Sequence, residues 1–155
     1  MRVTYALIAV AAVAILGSLG YCFYEYSAAR ENLKNIYMSI ASAVPRGVGQ
    51  DSITLKLGIR LYNNGSSTAS VDRIVYELYI SDTKLGSGSY NAHVEIPDKG
   101  AATLDTDFMI SRSAFGEIFY KIVSGSGFSI KLKIYMYRNT ILGTVEEIRE
   151  TSFKI

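Results

Sequence analysis

The chain holds one histidine, His93, and one cysteine, Cys22, so the side chains able to do chemistry are chiefly carboxylates. One imidazole excludes a multi-histidine metal centre and any catalytic scheme that needs two histidines. Asp105 and Asp107 stand two apart, a spacing that puts both on one face of a strand, and Asp72 and Glu77 are nearby in sequence. Calcium ligation or acid–base work would need such pairs. Two surface carboxylates are far more often a solvated face, and that is the reading taken. His93 falls on the polar side of its strand and is expected at the surface. Gly125-Ser126-Gly127 precedes a strand instead of opening a helix, which makes it a turn and not a phosphate cradle. No G-x-S-x-G, P-loop, H-E-x-x-H or C-x-x-C stretch occurs. No catalytic residue, metal ligand or cofactor site is therefore assigned, and the chain reads as a non-enzyme.

Two modification signals remain. Asn64-Gly65-Ser66 fits N-x-[ST], so Asn64 is the candidate glycosylation site for a domain outside the membrane. Leu19-Gly20-Tyr21-Cys22 faintly matches a lipoprotein box, but Tyr21 fills the position that wants a small residue. Cys22 then reads as an interfacial apolar residue. Tyr62, Tyr79, Tyr135 and Tyr137 fall on polar strand faces, as cross-strand pairs that stabilise a sheet or as a contact surface.

The elements that place these residues are of two kinds. Val3–Phe23 carries no charged side chain. About 20 apolar residues at about 1.5 Å rise span roughly 30 Å of hydrocarbon, so the run is expected to be a transmembrane helix. Tyr21, Phe23, Tyr24 and Tyr26 gather at its far end as an interfacial belt would. Arg2 favours a cytoplasmic N-terminus, although Arg30 and Lys34 flank the other end. Two other readings compete: a cleaved secretory peptide, which lacks a clean cleavage site, and the assembly helix of a pilin-like subunit, which lacks a processing site and an early acidic residue. Small residues, Gly17 and Gly20 among them, allow close helix approach in a membrane.

Beyond the run, Tyr24–Asn32 is expected to extend the helix as a stalk, and from Leu33 the period changes. Ile36, Met38 and Ile40 start a first strand, with a turn at Pro45, Gly47 and Gly49. Ile53, Leu55, Leu57, Ile59 and Leu61 alternate strictly with polar residues, and Asn63-Asn64-Gly65 closes that strand. Ile74, Tyr76, Leu78 and Ile80 repeat the pattern, followed by a turn from Asp82 to Gly86. Tyr90, Ala92, Val94 and Ile96 form another strand, and Leu104, Thr106, Phe108 and Ile110 a fifth. Phe115, Ile118, Phe119, Ile122 and Val123 make a helical stripe with Ser113 as N-cap. Phe128 to Met136 alternates again, Asn139-Thr140 turns, and residues 141–155 supply one last strand or two. Short, evenly spaced strands favour an antiparallel sandwich. The formal charge is +2; setting Arg2 aside leaves 15 basic residues (16 less one) against 14 acidic. With no basic face visible, nucleic acid is not expected as a partner. Twelve tyrosines and no tryptophan fit a β-rich chain.

In this order the elements resemble the LEA14-like domain, also called the late embryogenesis abundant type 2 or WHy domain. Leu57-Gly-Ile-Arg-Leu-Tyr-Asn-Asn-Gly65 is similar to the family's strand ending in an Asn-Pro-Asn-like turn, without the proline. Val71–Ile80 is similar to its next strand, Leu85-Gly-Ser-Gly88 to an "l-g-x-g" turn and Ile96-Pro97 to Gly100 to an "i-p-x-x-g" turn. Thr140-Ile-Leu-Gly143 resembles its late hairpin. The resemblance implies a fibronectin/immunoglobulin-like antiparallel β-sandwich with one short helix, no enzyme activity, and a link to desiccation or stress or to hydrophobic and lipid surfaces. The chain thus divides into residues 1–32, a transmembrane helix and stalk, and residues 33–155, the sandwich. The expected protein is single-pass, with its domain extracytoplasmic and membrane lipid as the partner of its helix. It binds or protects hydrophobic or lipid surfaces. The alternative is a structural subunit of a cell-surface filament or envelope complex, with the helix in the assembly core and a protein partner or self-assembly in place of lipid binding.

Overall fold

The computed structural model describes residues 2–80, 82–114, 116 and 129–154. Helix α1 spans Arg2–Lys34 without a break. Alanine and leucine favour it throughout. From Cys22 onward its partly buried positions, Cys22, Glu25, Tyr26, Ala28, Ala29 and Asn32, recur at three and four residues, which lays one stripe against the β domain. That stripe ends in Leu33, only 1 % exposed, so the helix plugs directly into the core. The helix stops where local groups take over its last carbonyls. The Asn35 amide donates to Glu31 O at 3.1 Å. Arg149 donates from Nη2 to Lys34 O and from Nε to Ile36 O at 3.2 Å, placing a cation at the negative end of the helix.

Among the described residues nine strands follow: β1 Ile36–Val48, β2 Ser52–Asn63, β3 Ala69–Val71, β4 Arg73–Ile80, β5 Thr83–Tyr90, β6 Val94–Ile96, β7 Ala101–Ser111, β8 Ser129–Thr140 and β9 Gly143–Lys154. They form sheets in the orders β1-β2-β7, β3-β6 and β5-β4-β8-β9, and every pairing is antiparallel. The inward residues of β2 (Leu57, Ile59, Leu61) and β7 (Leu104, Phe108, Ile110) share one core with those of β4 (Ile74, Tyr76, Leu78) and β8 (Leu132, Ile134, Met136). Tyr76 and Phe108 meet there with ring centroids 6.1 Å apart. The molecule is mainly β, as the alternating patterns require.

Several expectations are corrected. The turn at Pro45, Gly47 and Gly49 is not a strand end: β1 continues to Val48 across irregularities at Ile40/Ser42 and Pro45/Gly47. β1 is an edge strand, where a proline without an N–H is tolerated. Leu85–Gly88 is not a turn but the middle of β5, and Asp82, just before that strand, takes φ 70°. The strand expected over Tyr90–Ile96 is broken at residues 91–93, so His93 lies in a loop between β5 and β6. The last hairpin turns at Ile141 and Leu142, after β8 has run through Asn139-Thr140, and one strand follows. Residues 112–114 and 116 are helical, and the rest of the expected helix, with Gly125-Ser126-Gly127, lies outside the described residues. Its first turn is capped by Ser111, whose Oγ accepts from Ala114 N at 3.3 Å, and not by Ser113.

The transmembrane expectation gains no support from the described residues: among them, no helix is long and apolar enough to cross a membrane. The side chains of residues 2–9, which carry the start of the uncharged run, lie outside the description. The remainder of α1 includes Glu25, Arg30, Glu31 and Lys34.

Candidate functional site

The candidate site is a cleft of about 180 Å³ between α1 and the β domain. The helix supplies Tyr21, Tyr24, Glu25, Ala28, Ala29 and Asn32; the segment around β3 supplies Thr68 and Ser70; β8 supplies Arg138. Residues 21, 25, 28 and 32 follow the helical spacing, so one face of α1 forms a wall. Asn32 fixes the floor: its Nδ2 donates to Thr68 O at 3.4 Å and its Oδ1 accepts from Ser67 Oγ at 2.7 Å.

An ion network backs the cleft through Arg138. Asp72, in the bend between β3 and β4, accepts from Arg138 Nη1 at 2.9 Å and from Asn139 N at 2.7 Å. His93 Nδ1 stands 2.6 Å from the same carboxylate, and His93 Nε2 is 3.5 Å from Glu95. Burial alone would raise the Asp72 pKa, but the Asn139 N–H, the His93 hydrogen bond and the Arg138 charge together hold it below the usual 3.8. The hydrogen bond to Asp72, then the one to Glu95, raises the His93 imidazole above its usual 6.5. His93 is exposed, as expected from its polar position, yet it is tied to a partner 21 residues away.

The other sequence candidates separate. Asp105 and Asp107 face solvent on β7 and pair with Lys56 at 2.8 Å and Arg46 at 3.0 Å. Glu77 lies on the outer face of the four-stranded sheet. It accepts from Tyr79 at 2.8 Å and Tyr135 at 3.1 Å and meets Lys84 at 2.5 Å. These bonds, Lys84 first, lower its pKa. Two of the four outward tyrosines thus spend their hydroxyls on the sheet itself, and Tyr137 lies under Arg73, 5.3 Å from ring centroid to guanidinium carbon. Cys22 is a free, partly buried thiol on α1. Among the described residues no cluster of three His, Cys, Asp or Glu side chains could hold a metal ion. Glu25, Arg138, Thr68 and Ser70 were not singled out by sequence reasoning. The legible signal was Glu25, the first charge after an uncharged run, in step with Tyr21, Ala28 and Asn32.

Next to the floor, on the far side of Ser67 from Asn32, Asn63 is fully buried and binds four backbone groups. Its Nδ2 donates to Ser67 O (2.7 Å), Ile96 O (3.1 Å) and Pro97 O (3.2 Å), and its Oδ1 accepts from Gly65 N at 2.8 Å. One side chain therefore joins the ends of β2, β3 and β6. Asn64 is exposed, with Lys99 Nζ on its carbonyl at 2.6 Å.

With this geometry in place, comparison with known families is decisive. The profile described as "Late embryogenesis abundant protein" matches residues 58–148, more than half of the chain. The chain belongs to the late embryogenesis abundant family LEA_2. That membership makes it a LEA-type protein, of a family linked to stress and desiccation and generally without enzyme activity. Among solved structures, it is similar to a protein from Arabidopsis thaliana at 14% identity, covering 76% of this chain and 79% of that one with a TM-score of 0.60. It is also similar to a protein described as late embryogenesis abundant, at 16% identity, with coverages of 93% and 83% and a TM-score of 0.51. At these identities the likeness concerns the fold. The comparison with curated proteins returned no match.

Proposed function

We propose that this LEA_2 protein is a non-enzymatic protective module held beside a membrane by α1, acting in desiccation or stress by covering hydrophobic or lipid surfaces. The observation that carries the reading is the helix itself. Val10, Val13, Ile15, Leu16 and Leu19 are all exposed, Val13 by 70 %, so the helix is apolar on every side where it leaves the domain. A helix that is hydrophobic all round is stable only when something apolar surrounds it. At the point where charges begin, Tyr21, Phe23 and Tyr24 are exposed in the manner of an interfacial belt. The sandwich follows without a linker, because Leu33 and Ile36 sit in its core. In this reading the domain lies on the extracytoplasmic side, and Asn64 is a glycosylation acceptor.

The test is dye leakage from vesicles dried and rehydrated with the full chain reconstituted at increasing protein-to-lipid ratio. Protection that rises with protein, and that heat-unfolded protein lacks, supports the reading. Leakage equal to that of protein-free vesicles contradicts it.

A further inference from the structure

Glu25 lines the cleft and forms no ion pair among the described residues. Its Oε2 is buried and accepts no hydrogen bond from any of them. A carboxylate oxygen removed from water without a donor is costly, and a donor from outside the chain would relieve the cost. The cation that shares the cleft, Arg138, is committed to Asp72 at 2.9 Å. His93 is bound to that same Asp72 at 2.6 Å, with Glu95 3.5 Å beyond. Of the residues that line the cleft, Glu25 and Arg138 carry charge, and Arg138 is taken by Asp72.

The rest of the lining fits one kind of guest. Tyr21 and Tyr24 present aromatic rings, and Thr68 and Ser70 present hydroxyls that make no side-chain hydrogen bond among the described residues. We propose that this cleft binds an organic ammonium group, with Glu25 as counter-charge, the two tyrosine rings beside the cation and the Thr68 and Ser70 hydroxyls accepting N–H bonds. Aromatic faces attract such cations, even where the rings are largely exposed as these are. A hard metal ion fits poorly, since it wants about six or more oxygen ligands. A volume of about 180 Å³ is small beside the roughly 300–1,000 Å³ of a drug-sized site, so the guest is a head group and not a large ligand. The ammonium has two sources, a free small amine or the ethanolamine head of a lipid. The inference does not require α1 to cross a bilayer, so it can fail or stand apart from the membrane reading.

The experiment follows tyrosine-ring NMR signals of the full chain in uncharged detergent micelles. The probes are ethanolammonium chloride and micelle-borne phosphatidylethanolamine, with sodium chloride and phosphatidylglycerol as controls. The expected result is a saturable shift of Tyr21 and Tyr24, with Tyr76 unmoved, for both ammonium probes and neither control. In Glu25→Gln, which keeps the shape and is checked for folding by circular dichroism, binding weakens roughly tenfold or more, as expected for loss of a charged partner. Tighter binding of the lipid at equal ammonium concentration identifies a head-group site, and equal binding identifies a free-amine site; both support the proposal. No saturable shift with either ammonium, an unchanged response in Glu25→Gln, or the same shift with phosphatidylglycerol overturns it.

Discussion

Gly88 of β5 occupies the space into which the Tyr76 ring projects: a Cβ on Gly88 would stand 2.1 Å from the Tyr76 hydroxyl oxygen and 2.3 Å from its Cζ. The ring is held in place, because its hydroxyl bonds Thr106 Oγ1 and donates to Asp107 O at 3.0 Å, and it meets Phe108 in a tilted pair. A glycine inside a strand therefore marks a close approach. Gly88→Ala is expected to cost about 1–3 kcal/mol through overpacking. Urea unfolding of the two proteins measures it, and equal midpoints would contradict this packing.

Asn63 makes a sharper case. Asn63→Asp keeps the acceptor for Gly65 N and deletes the donor shared by three carbonyls, setting a buried carboxylate against Ser67, Ile96 and Pro97 O. The expected cost is about 3 kcal/mol or more. Equilibrium unfolding checks it; a loss under about 0.5 kcal/mol, the scale of a neutral surface change, would show that the junction does not depend on this amide.

The Asp72–His93 pair predicts a pH dependence. His93 is raised in the folded state, so its contribution is full below the ordinary histidine value and is lost as pH rises through the folded one. Asp72 is lowered, so its contribution is present above the ordinary carboxylate value of 3.8 and is lost as pH falls through the folded one. Stability from the pair is therefore greatest between the two ranges. His93→Gln should reduce the stability difference between about pH 5.5 and about pH 8.5, which bracket the ordinary histidine value of about 6.5. Thermal melts at both values test this, and an unchanged difference would contradict it.

The period-two strands were legible because one face of each is buried: Leu57, Ile59 and Leu61 inside, Lys56 and Arg60 outside, as read. Glycine and proline misled. Pro45 looked like a turn because its missing N–H breaks most strands, but an edge strand has no partner on that side. Gly86 and Gly88 looked like a turn because the reason for them is Phe108 and Tyr76, residues distant in sequence. The cleft was legible only in part. Glu25 was not singled out, although it is the first charge after the uncharged run, and Arg138, which lines the same cleft, follows 113 positions later, so only the fold joins them. His93 was read as exposed on a strand; the alternation of Tyr90, Ala92, Val94 and Ile96 runs on through residues 91–93 and hid the loop that carries it to Asp72.

Arg149 ties the helix to the sheet through Lys34 O and Ile36 O. Arg149→Gln removes the cation at the helix end and should cost about 0.5–2 kcal/mol, with amide exchange accelerating over the last turn of α1. Unchanged exchange there would mean that Leu33 and Asn35 alone hold the helix end.

The most direct test of the central proposal, that α1 holds this LEA_2 domain at a membrane, is alkaline carbonate extraction of cells expressing the full chain. The account predicts that the protein stays in the membrane pellet and leaves it only with detergent. Quantitative release into the carbonate supernatant would contradict it.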